Sequence, residues 1–245
     1  MNSAALPMNP VVSLWQNLHS RLLFKFVLPQ LQSVELEGVK LDVSGLSSLM
    51  KNHIRTGRYE VQERRIAQRV LTKNDVVLEL GGAIGFIGLF CRQQIGVKHH
   101  FSVEANPNTL KLLQRNYALN GLKPDAIHAA AAAENGEITL DIGGEFWENS
   151  VLKTDRTATT ITVPALSLKS LVALMPESPT TLICDIEGAE QYLDFSQLPA
   201  SVTKIIIELH PEMTGQQTVN EIVAGLEALG FKTMVETDGT WFLAR

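Results

Sequence analysis

The chain has 245 residues, of which 45% are apolar and 19% are charged, and its formal net charge at pH 7 is −5. This length fits one large domain, alone or with a small extension, and the composition excludes a chain that is disordered throughout. The negative charge leaves no basic surface typical of nucleic-acid binders, so we predict no nucleic-acid partner. Cys91 and Cys184 both lie in apolar runs and are predicted to be buried, reduced thiols.

The beginning of the chain, MNSAALPMNP, lacks the basic segment and the apolar stretch of a secretory signal. No apolar run approaches the roughly 18 residues that a membrane span needs, so we expect a cytoplasmic protein without a membrane span. Apolar residues at helical spacing predict a helix from Val11 to Phe26, ended by Pro29. This helix is interpreted as packing on its own domain or on a second copy in a homodimer. We assign residues 1–56 to an N-terminal helical and extended region and residues 57–245 to the main domain.

Beyond the N-terminal region, strands and helices alternate along the sequence. A helix is predicted between Tyr59 and Leu71, because Ile66, Ala67 and Val70 fall on one helical face. The strands that follow read, in chain order, NDVVLEL, HHFSVEA, DAIHAAA, GEITLDI, TTLICDI and VTKIIIELH. Helices are predicted at GFIGLFCRQQIG, NPNTLKLLQRNYALNG, SLKSLVALM, GAEQYLDF and Val219 to Leu229, and a terminal β-hairpin joins FKTMVET to TWFLA through Asp238-Gly239. The alternation predicts an α/β fold whose mostly parallel sheet is covered on both faces.

A glycine-rich turn, ELGGAIG, joins the first of these strands to its helix. Such a turn lets the backbone approach a ligand and directs helix N–H groups at it, which indicates a nucleotide-like cofactor. The G-x-G-x-x-G pattern of dinucleotide sites is not met. Glu104 ends the next strand, where it can accept hydrogen bonds from both ribose hydroxyls of a nicotinamide cofactor or of S-adenosylmethionine. Glu79, two positions before the first glycine, favours S-adenosylmethionine, which has no pyrophosphate to repel.

Acidic residues follow two later strands. Asp185 and Glu187 lie on the same side if the chain stays extended after TTLIC, and so do Glu208 and His210 after IIIE. Ligands of open α/β sheets bind beyond the carboxyl ends of the strands, so these side chains are predicted to face one site. Asp185, Glu187 and His210 are the predicted catalytic residues. His210 is the predicted general base, since histidine titrates near pH 6.5 or so.

Two other roles for the acids stay open. Asp185, Glu187 and Glu208 suit Mg²⁺, although nothing in their spacing requires a metal. Glu187 or Glu190 could instead stabilise the start of a helix through its dipole.

Four segments, VVLELGGAIGF, SVEANPNTLKLLQRNYALNG, ICDIEGAE and IIIELHP, resemble in the same order those of FkbM-type S-adenosylmethionine-dependent methyltransferases. The resemblance spans roughly Gly57 to Pro211, and DIEGAE is its most specific part. It implies the Rossmann-like class I methyltransferase fold, with a seven-stranded, mostly parallel sheet whose last strand is antiparallel. It also implies O-methylation of a hydroxyl on a small molecule, such as a polyketide, a sugar or another secondary metabolite.

The resemblance further implies a set of cofactor contacts. Glu79, Gly81, Ala83 and Gly85 would surround the methionine part. Asp185, from its position at the end of a strand and not from the resemblance, is predicted to orient the cofactor or the substrate hydroxyl. Glu104 would hold the ribose, Ala105 and Asn106 would lie beside the adenosine, and Ala130 and Ala131 would face the adenine.

The segment from Asp141 to Asp155, with Phe146 and Trp147, could cover the acceptor or cap the sheet edge. An NAD(P)-dependent oxidoreductase and a non-catalytic interaction module on the same fold are the alternative functions.

Overall fold

The computed structural model describes residues 21–142 and 159–245. Most of the predicted N-terminal helix and of the predicted acceptor-covering segment therefore lies outside the described residues. The described part opens with a π-helical turn, Leu23–Val27, and a 3-10 turn, Leu28–Gln30, which contains Pro29. No helix within the described ranges is both long and apolar enough to cross a membrane.

Twelve strands and seven α-helices make up the described chain. The strands are β1 (Ser33–Leu36), β2 (Val39–Asp42), β3 (Val76–Leu80), β4 (His99–Glu104), β5 (Asp125–His128), β6 (Ala130–Ala132), β7 (Gly136–Ile142), β8 (Thr159–Ser167), β9 (Thr181–Cys184), β10 (Lys204–Glu208), β11 (Lys232–Thr237) and β12 (Thr240–Ala244). The helices are α1 (Ser48–Arg55), α2 (Val61–Val70), α3 (Phe86–Phe90), α4 (Pro107–Leu119), α5 (Leu168–Leu174), α6 (Pro211–Thr214) and α7 (Gln216–Ala228).

The main sheet has seven strands in the order β11-β12-β10-β9-β3-β4-β5. Strand β12 runs antiparallel to both of its neighbours, whereas β10, β9, β3, β4 and β5 pair in parallel. This confirms the predicted seven-stranded, mostly parallel sheet with an antiparallel last strand. The predicted terminal hairpin is present, and its turn residues Asp238 and Gly239 both have positive φ, at 49° and 86°. Two positive φ values in a two-residue loop are the pattern that the Asp-Gly pair favours.

The central strands are apolar on both faces because helices cover both sides of the sheet. Leu78 and Leu80 of β3 pack with Leu182 in the core on one face, whereas Val77 and Ile183 belong to the core on the other face. Cys91 and Cys184 are buried free thiols, as predicted.

The helix boundaries follow from their capping residues. At the start of α4, the Asn106 side chain accepts a hydrogen bond from the Asn108 N–H at 2.9 Å, and Pro107 occupies the first helical position. Helix α3 starts after Gly85 and continues as a π-helical turn, Cys91–Ile95, which ends at Gly96 with φ of 85°. Helix α7 buries Val219, Val223 and Leu226 against the sheet.

Two predicted elements differ from the structure, and one strand was not predicted. The segment DAIHAAA is not one strand: it divides at Ala129, and β6 pairs with β8 in a separate three-stranded sheet of order β6-β8-β7. Strand β8 was not predicted, since Pro164 interrupts the alternation of apolar and polar residues that marks a strand. In GAEQYLDF the predicted helix is replaced by a 3-10 turn, Ala189–Tyr192, and the last residue of the segment begins a second 3-10 turn, Phe195–Gln197.

The segment before β3 is attached to the main domain. Backbone N–H groups of Lys40 and Asp42 in the β1–β2 hairpin donate to the side chains of Asn120 and Asn116 at 3.0 and 2.7 Å. Val39 and Leu41 are buried in the same core as helix α3. This attachment brings α1 and α2 to the carboxyl ends of the central strands. The boundary at residues 56 and 57 stays a prediction.

Candidate functional site

A cavity of about 490 Å³ lies at the carboxyl ends of β3, β4, β9 and β10. This is the edge where an open α/β sheet binds its ligand. Most of the predicted site residues line this one cavity, namely Gly81, Ala83, Glu104, Ala105, Asn106, Ala130, Ala131, Asp185 and Glu187. The cavity volume falls within the range of about 300–1,000 Å³ that is typical of small-molecule sites.

The glycine turn is held tightly between two neighbouring strand ends. Gly81 has φ of 84°, and a Cβ atom at this position would overlap the backbone carbonyl of Asp185. The N–H groups of Gly81 and Gly82 both donate to the Val103 carbonyl, at 2.9 and 3.0 Å. Glycine is required at position 81 because the chain passes β9 too closely for any side chain.

Glu104 is fixed by two backbone donors. Its Oε2 accepts from the Ala83 N–H at 2.9 Å, and its Oε1 accepts from the Asn106 N–H at 2.7 Å. Ala83 has φ of 43°, a left-handed conformation that is uncommon outside glycine. A carboxylate offers about four acceptor positions, so two remain for hydroxyl groups of a ligand. The carboxylate therefore connects the glycine turn to the start of α4 and can still bind a diol.

Glu79 and Gly85 do not line the cavity. Glu79 is 3% exposed and accepts a hydrogen bond from the Ser102 hydroxyl at 2.6 Å, and one of its oxygens lies 3.1 Å from His100 Nε2. Its side chain lies on the opposite face of β3 from Leu78 and Leu80, because side chains alternate along a strand. Gly85, with φ of 81°, packs against Leu113 and Tyr117 of α4. Of the four residues predicted at the methionine part, Glu79 and Gly85 therefore lie next to the glycine turn but outside the cavity.

The acidic segment after β9 forms a compact turn. The Asp185 N–H donates to the Leu80 carbonyl at 3.0 Å, and Glu187 has a left-handed backbone with φ of 56°. Glu190 closes the turn, since its Oε1 accepts from the Ile186 N–H at 2.8 Å. Burial raises the pKa of Glu190 to about 7. Asp185 and Glu187 reach the cavity, whereas Glu190 stabilises the turn that carries them.

His210 is not on the cavity wall, contrary to the prediction that it faces the common site. Its Nε2 lies 3.1 Å from Asp185 Oδ1, and its Nδ1 lies 3.4 Å from Glu212 Oε1. Burial alone would lower the pKa of His210, but the hydrogen bond and charge of Asp185, with the charge of Glu187, raise it to about 9. An imidazole that is protonated at neutral pH and paired on both nitrogens does not suit the general-base role predicted for it.

The residues predicted for a metal are not the ones whose ligand atoms meet. Asp185, Glu190 and His210 bring theirs within 4.8 Å of one another, whereas the sequence pointed to Asp185, Glu187 and Glu208. Two of these atoms already have partners, since Glu190 Oε1 binds a backbone N–H and His210 Nε2 pairs with Asp185. We assign no Mg²⁺ to this trio.

The segment before β3 contributes two acids to the cavity that the sequence did not indicate as site residues. Glu60 and Glu63, at the start of α2, line the cavity together with Glu208. Glu63 is 5% exposed and accepts a hydrogen bond from the Thr240 hydroxyl at 2.6 Å. Burial, followed by the charges of Asp185, Glu63 and Glu60, raises the pKa of Glu208. In the sequence these two acids resemble ordinary acids at a helix start, and only their position beside β10 marks them as part of the site.

Comparison with known proteins agrees with this geometry. A protein described as protein-lysine N-methyltransferase EFM3, from Chaetomium thermophilum, is 26% identical over 132 residues, and the match covers 51% of this chain and 39% of that protein. A crystal structure described as methyltransferase FkbM, from Methylobacillus flagellatus, has a TM-score of 0.50 at 12% identity, over 81% of this chain and 53% of that chain. The chain thus spans only about two-fifths of the curated relative and about half of the solved one.

A family match covers more of the chain. Residues 75–233 match the family described as the methyltransferase FkbM domain. The matched range contains the glycine turn, Glu104 and the acidic turn after β9, together with five complete strands of the seven-stranded main sheet. The solved FkbM structure has the same class I methyltransferase fold. The chain therefore belongs to the FkbM methyltransferase family, as its sequence motifs predicted.

Proposed function

We propose that this protein is an S-adenosylmethionine-dependent methyltransferase that methylates a hydroxyl group of a small molecule. The observation that carries the proposal is that three acids line one cavity. They are Glu104, whose carboxylate accepts two backbone hydrogen bonds, together with Asp185 and Glu187. Family membership supports the reaction type. The hydroxyl acceptor is the part of the proposal that rests on the family resemblance.

The residues of the cavity fit S-adenosylmethionine. Glu104 would accept hydrogen bonds from the two ribose hydroxyls, Ala105 and Asn106 would flank the adenosine, and Ala130 and Ala131 would face the adenine. Gly81 and Ala83 would lie along the methionine part, with Glu79 and Gly85 supporting their turn. When bound, the cofactor would supply an electrophilic methyl group on a sulfonium sulfur.

We assign the general-base role to Glu187 rather than to His210. Burial and the charge of Asp185 raise the pKa of Glu187 above the ordinary glutamate value, and a base with a pKa nearer the working pH is more effective. Glu187 would accept the proton of the attacking hydroxyl. Asp185, held by the His210 imidazolium at 3.1 Å, would orient that hydroxyl or the cofactor.

A substitution at Glu104 tests the cofactor class. We expect Glu104→Gln to weaken binding of S-adenosylhomocysteine by about 10- to 100-fold, because hydrogen bonds to a charged group contribute roughly 1.5–3 kcal/mol. Titration calorimetry measures the affinity, and unfolding by urea verifies that the variant is folded. Binding of NAD or NADP with no binding of S-adenosylhomocysteine would favour the oxidoreductase alternative. Retention of neither ligand would favour a non-catalytic interaction module.

The affinity for the cofactor is also expected to depend on pH. Burial raises the pKa of Glu104 to about 7, although the N–H groups of Asn106 and Ala83 act against this rise. Hydroxyl donors bind the ionised carboxylate, so the affinity for S-adenosylhomocysteine should decrease as the pH falls below about 7. Calorimetry between pH 5.5 and 8.5 or so covers this range. A Glu104→Gln variant that retains the same pH dependence would show that another group is responsible.

The acceptor itself requires a separate assay. Transfer of labelled methyl from S-adenosylmethionine can be compared between hydroxylated small molecules and lysine-containing peptides, with the methylated atom located by mass spectrometry. Transfer to oxygen supports the proposal. Transfer to the lysine nitrogen would instead align this protein with the relative described as a protein-lysine N-methyltransferase.

A further inference from the structure

We propose that the acceptor carries a protonated amine beside its hydroxyl, and that Glu60, Glu63 and Glu208 bind this ammonium group. The inference rests on the proposed methyl transfer in the same cavity and specifies the class of acceptor as an amino alcohol, such as an amino sugar. These three residues are called the acidic wall below.

The position of the acidic wall separates it from the proposed cofactor contacts. In the main sheet, β4, β3, β9 and β10 are consecutive neighbours, and Glu104 and Glu208 end the outer two. Neighbouring strands lie about 4.8 Å apart, so these strand ends are about 14 Å from each other. Asp185 follows the strand next to β10 and lies between them. The acidic wall is thus on the far side of Asp185 from the residue proposed to bind ribose.

The charge of the cavity is strongly one-sided. Seven carboxyl groups line it, from Glu60, Glu63, Glu104, Asp185, Glu187, Glu208 and Asp238. Arg58 is the only lysine or arginine among the described residues of this lining, and it is exposed. A cavity with this composition attracts cations and disfavours anionic ligands.

The arginine next to Glu63 in the chain forms its salt bridge outside the cavity. Arg64 follows Glu63 directly in the chain, yet its Nη1 lies 3.2 Å from Glu37 Oε1 and it does not line the cavity. Glu63 accepts a hydrogen bond from the neutral Thr240 hydroxyl, and its side chain also shares a hydrogen bond with that of Glu208. Among the described residues, the exposed Arg58 is thus the one lysine or arginine of the cavity lining that could balance the acidic wall.

Mutual repulsion among these acids supports the inference. Burial, Glu63 and Asp185 raise the pKa of Glu60, and the same kind of repulsion acts on Glu208. These raised pKa values favour protonated carboxyl groups, and an entering ammonium group would favour their ionised forms. It would also donate up to three hydrogen bonds, which carboxylates accept with charge-assisted strength. A neutral hydroxylated acceptor offers no such compensation.

An ammonium group on the acceptor does not alter the proposed methyl transfer to its hydroxyl oxygen. The acceptor oxygen forms a bond to the methyl carbon as the sulfur–methyl bond breaks, and the hydroxyl proton passes to Glu187. The ammonium group keeps its three protons and is not methylated, because a protonated nitrogen has no lone pair for attack. The amine is thus an anchor that positions the hydroxyl.

A pair of probes that differ only in charge tests the inference. We expect 5-aminopentan-1-ol to bind the complex with S-adenosylhomocysteine at least about ten-fold more tightly than pentane-1,5-diol, as one charge-assisted interaction would provide. Dissociation constants can be measured by ligand-observed NMR at neutral pH. The double variant Glu63→Gln/Glu208→Gln should remove this preference. Glu236→Gln, which removes one carboxyl group from an exposed position on β11, should leave the preference unchanged.

Each other outcome has a definite meaning. Equal binding of the two probes, or no binding of either, with S-adenosylhomocysteine still bound, would overturn the inference. The inference would also be overturned if the double variant bound S-adenosylmethionine more weakly but bound S-adenosylhomocysteine and both probes as before. In that case the acids would interact with the sulfonium charge of the cofactor. Failure of the unaltered protein to bind S-adenosylhomocysteine would instead count against the proposed function.

Discussion

Replacing Gly81 with alanine is expected to lower the free energy of unfolding by about 3–5 kcal/mol, at the upper end of single substitutions. Two effects combine at this position. The backbone has φ of 84°, which is unfavourable by about 1–2 kcal/mol for any residue with a Cβ atom. The new methyl group would also overlap the Asp185 carbonyl, so β3 and β9 would have to separate at the cavity. Unfolding by urea measures the loss, and calorimetry measures the accompanying loss of cofactor affinity.

Gly121→Ala provides the matched control. Gly121 also has positive φ, at 70°, but a Cβ atom there would have no neighbour within 4 Å. This variant should lose only the backbone contribution of about 1–2 kcal/mol and should bind S-adenosylhomocysteine normally. Equal losses in the two variants would show that the approach of Asp185 to the glycine turn is not what requires glycine at position 81.

Glu187→Gln is expected to reduce methyl transfer by about 10²- to 10⁴-fold, the usual contribution of a general base. Glutamine retains the size of the side chain but cannot accept the hydroxyl proton, so binding of S-adenosylhomocysteine should be nearly unchanged. The rate is measured with labelled S-adenosylmethionine and the acceptor identified by the comparison of hydroxylated small molecules with lysine-containing peptides. Glu236→Gln again serves as the charge-matched control on an exposed strand.

The pH dependence of the rate distinguishes Glu187 from His210 as the base. Burial and the charge of Asp185 raise the pKa of Glu187, so the rate should increase with pH above the ordinary titration range of glutamate. Asp185→Asn removes the like charge and should move this increase to lower pH. If His210, whose pKa is raised to about 9, were the base, the rate would instead keep rising to about pH 9. In that case His210→Gln, and not Glu187→Gln, would abolish turnover.

The His210–Asp185 pair also affects stability. The pKa of His210 in the folded protein lies above the ordinary value near 6.5, so the pair stabilises the fold fully below about pH 6.5. This stabilisation is lost as the pH rises through about 9, where the imidazole releases its proton.

Much of the fold could be predicted because its signals are local. Asn106 followed by Pro107 is a strong helix start, and Asp238-Gly239 is a strong hairpin turn; both occur where the sequence placed them. The buried strand that ends at Cys184 and the acids after it also required only neighbouring residues to be recognised. Family resemblance then supplied the number of strands in the sheet and the antiparallel direction of the last one, which local patterns do not contain.

The parts that were missed depend on contacts between distant residues. Glu63 receives its hydrogen bond from Thr240, which is 177 positions away in the chain. The pairing of β6 with β8 is likewise not visible from either strand alone. His210 was assigned as a base from its residue type, but its protonation depends on Asp185, 25 positions earlier. Sequence patterns identify what a segment can form, whereas charge states follow from which segments meet.

The attachment of the β1–β2 hairpin to α4 has a consequence for how such a site can diversify. Asn116 and Asn120 hold this hairpin through backbone groups, so the hairpin's own side chains can change without loss of these bonds. Glu60 and Glu63 follow shortly after it, while the glycine turn and Glu104 are encoded well downstream. Two of the three acidic-wall residues are thus encoded upstream of the proposed cofactor contacts, whereas Glu208 is encoded downstream of them. Mutation or exchange of the upstream stretch can remodel one side of the cavity and leave the other side intact.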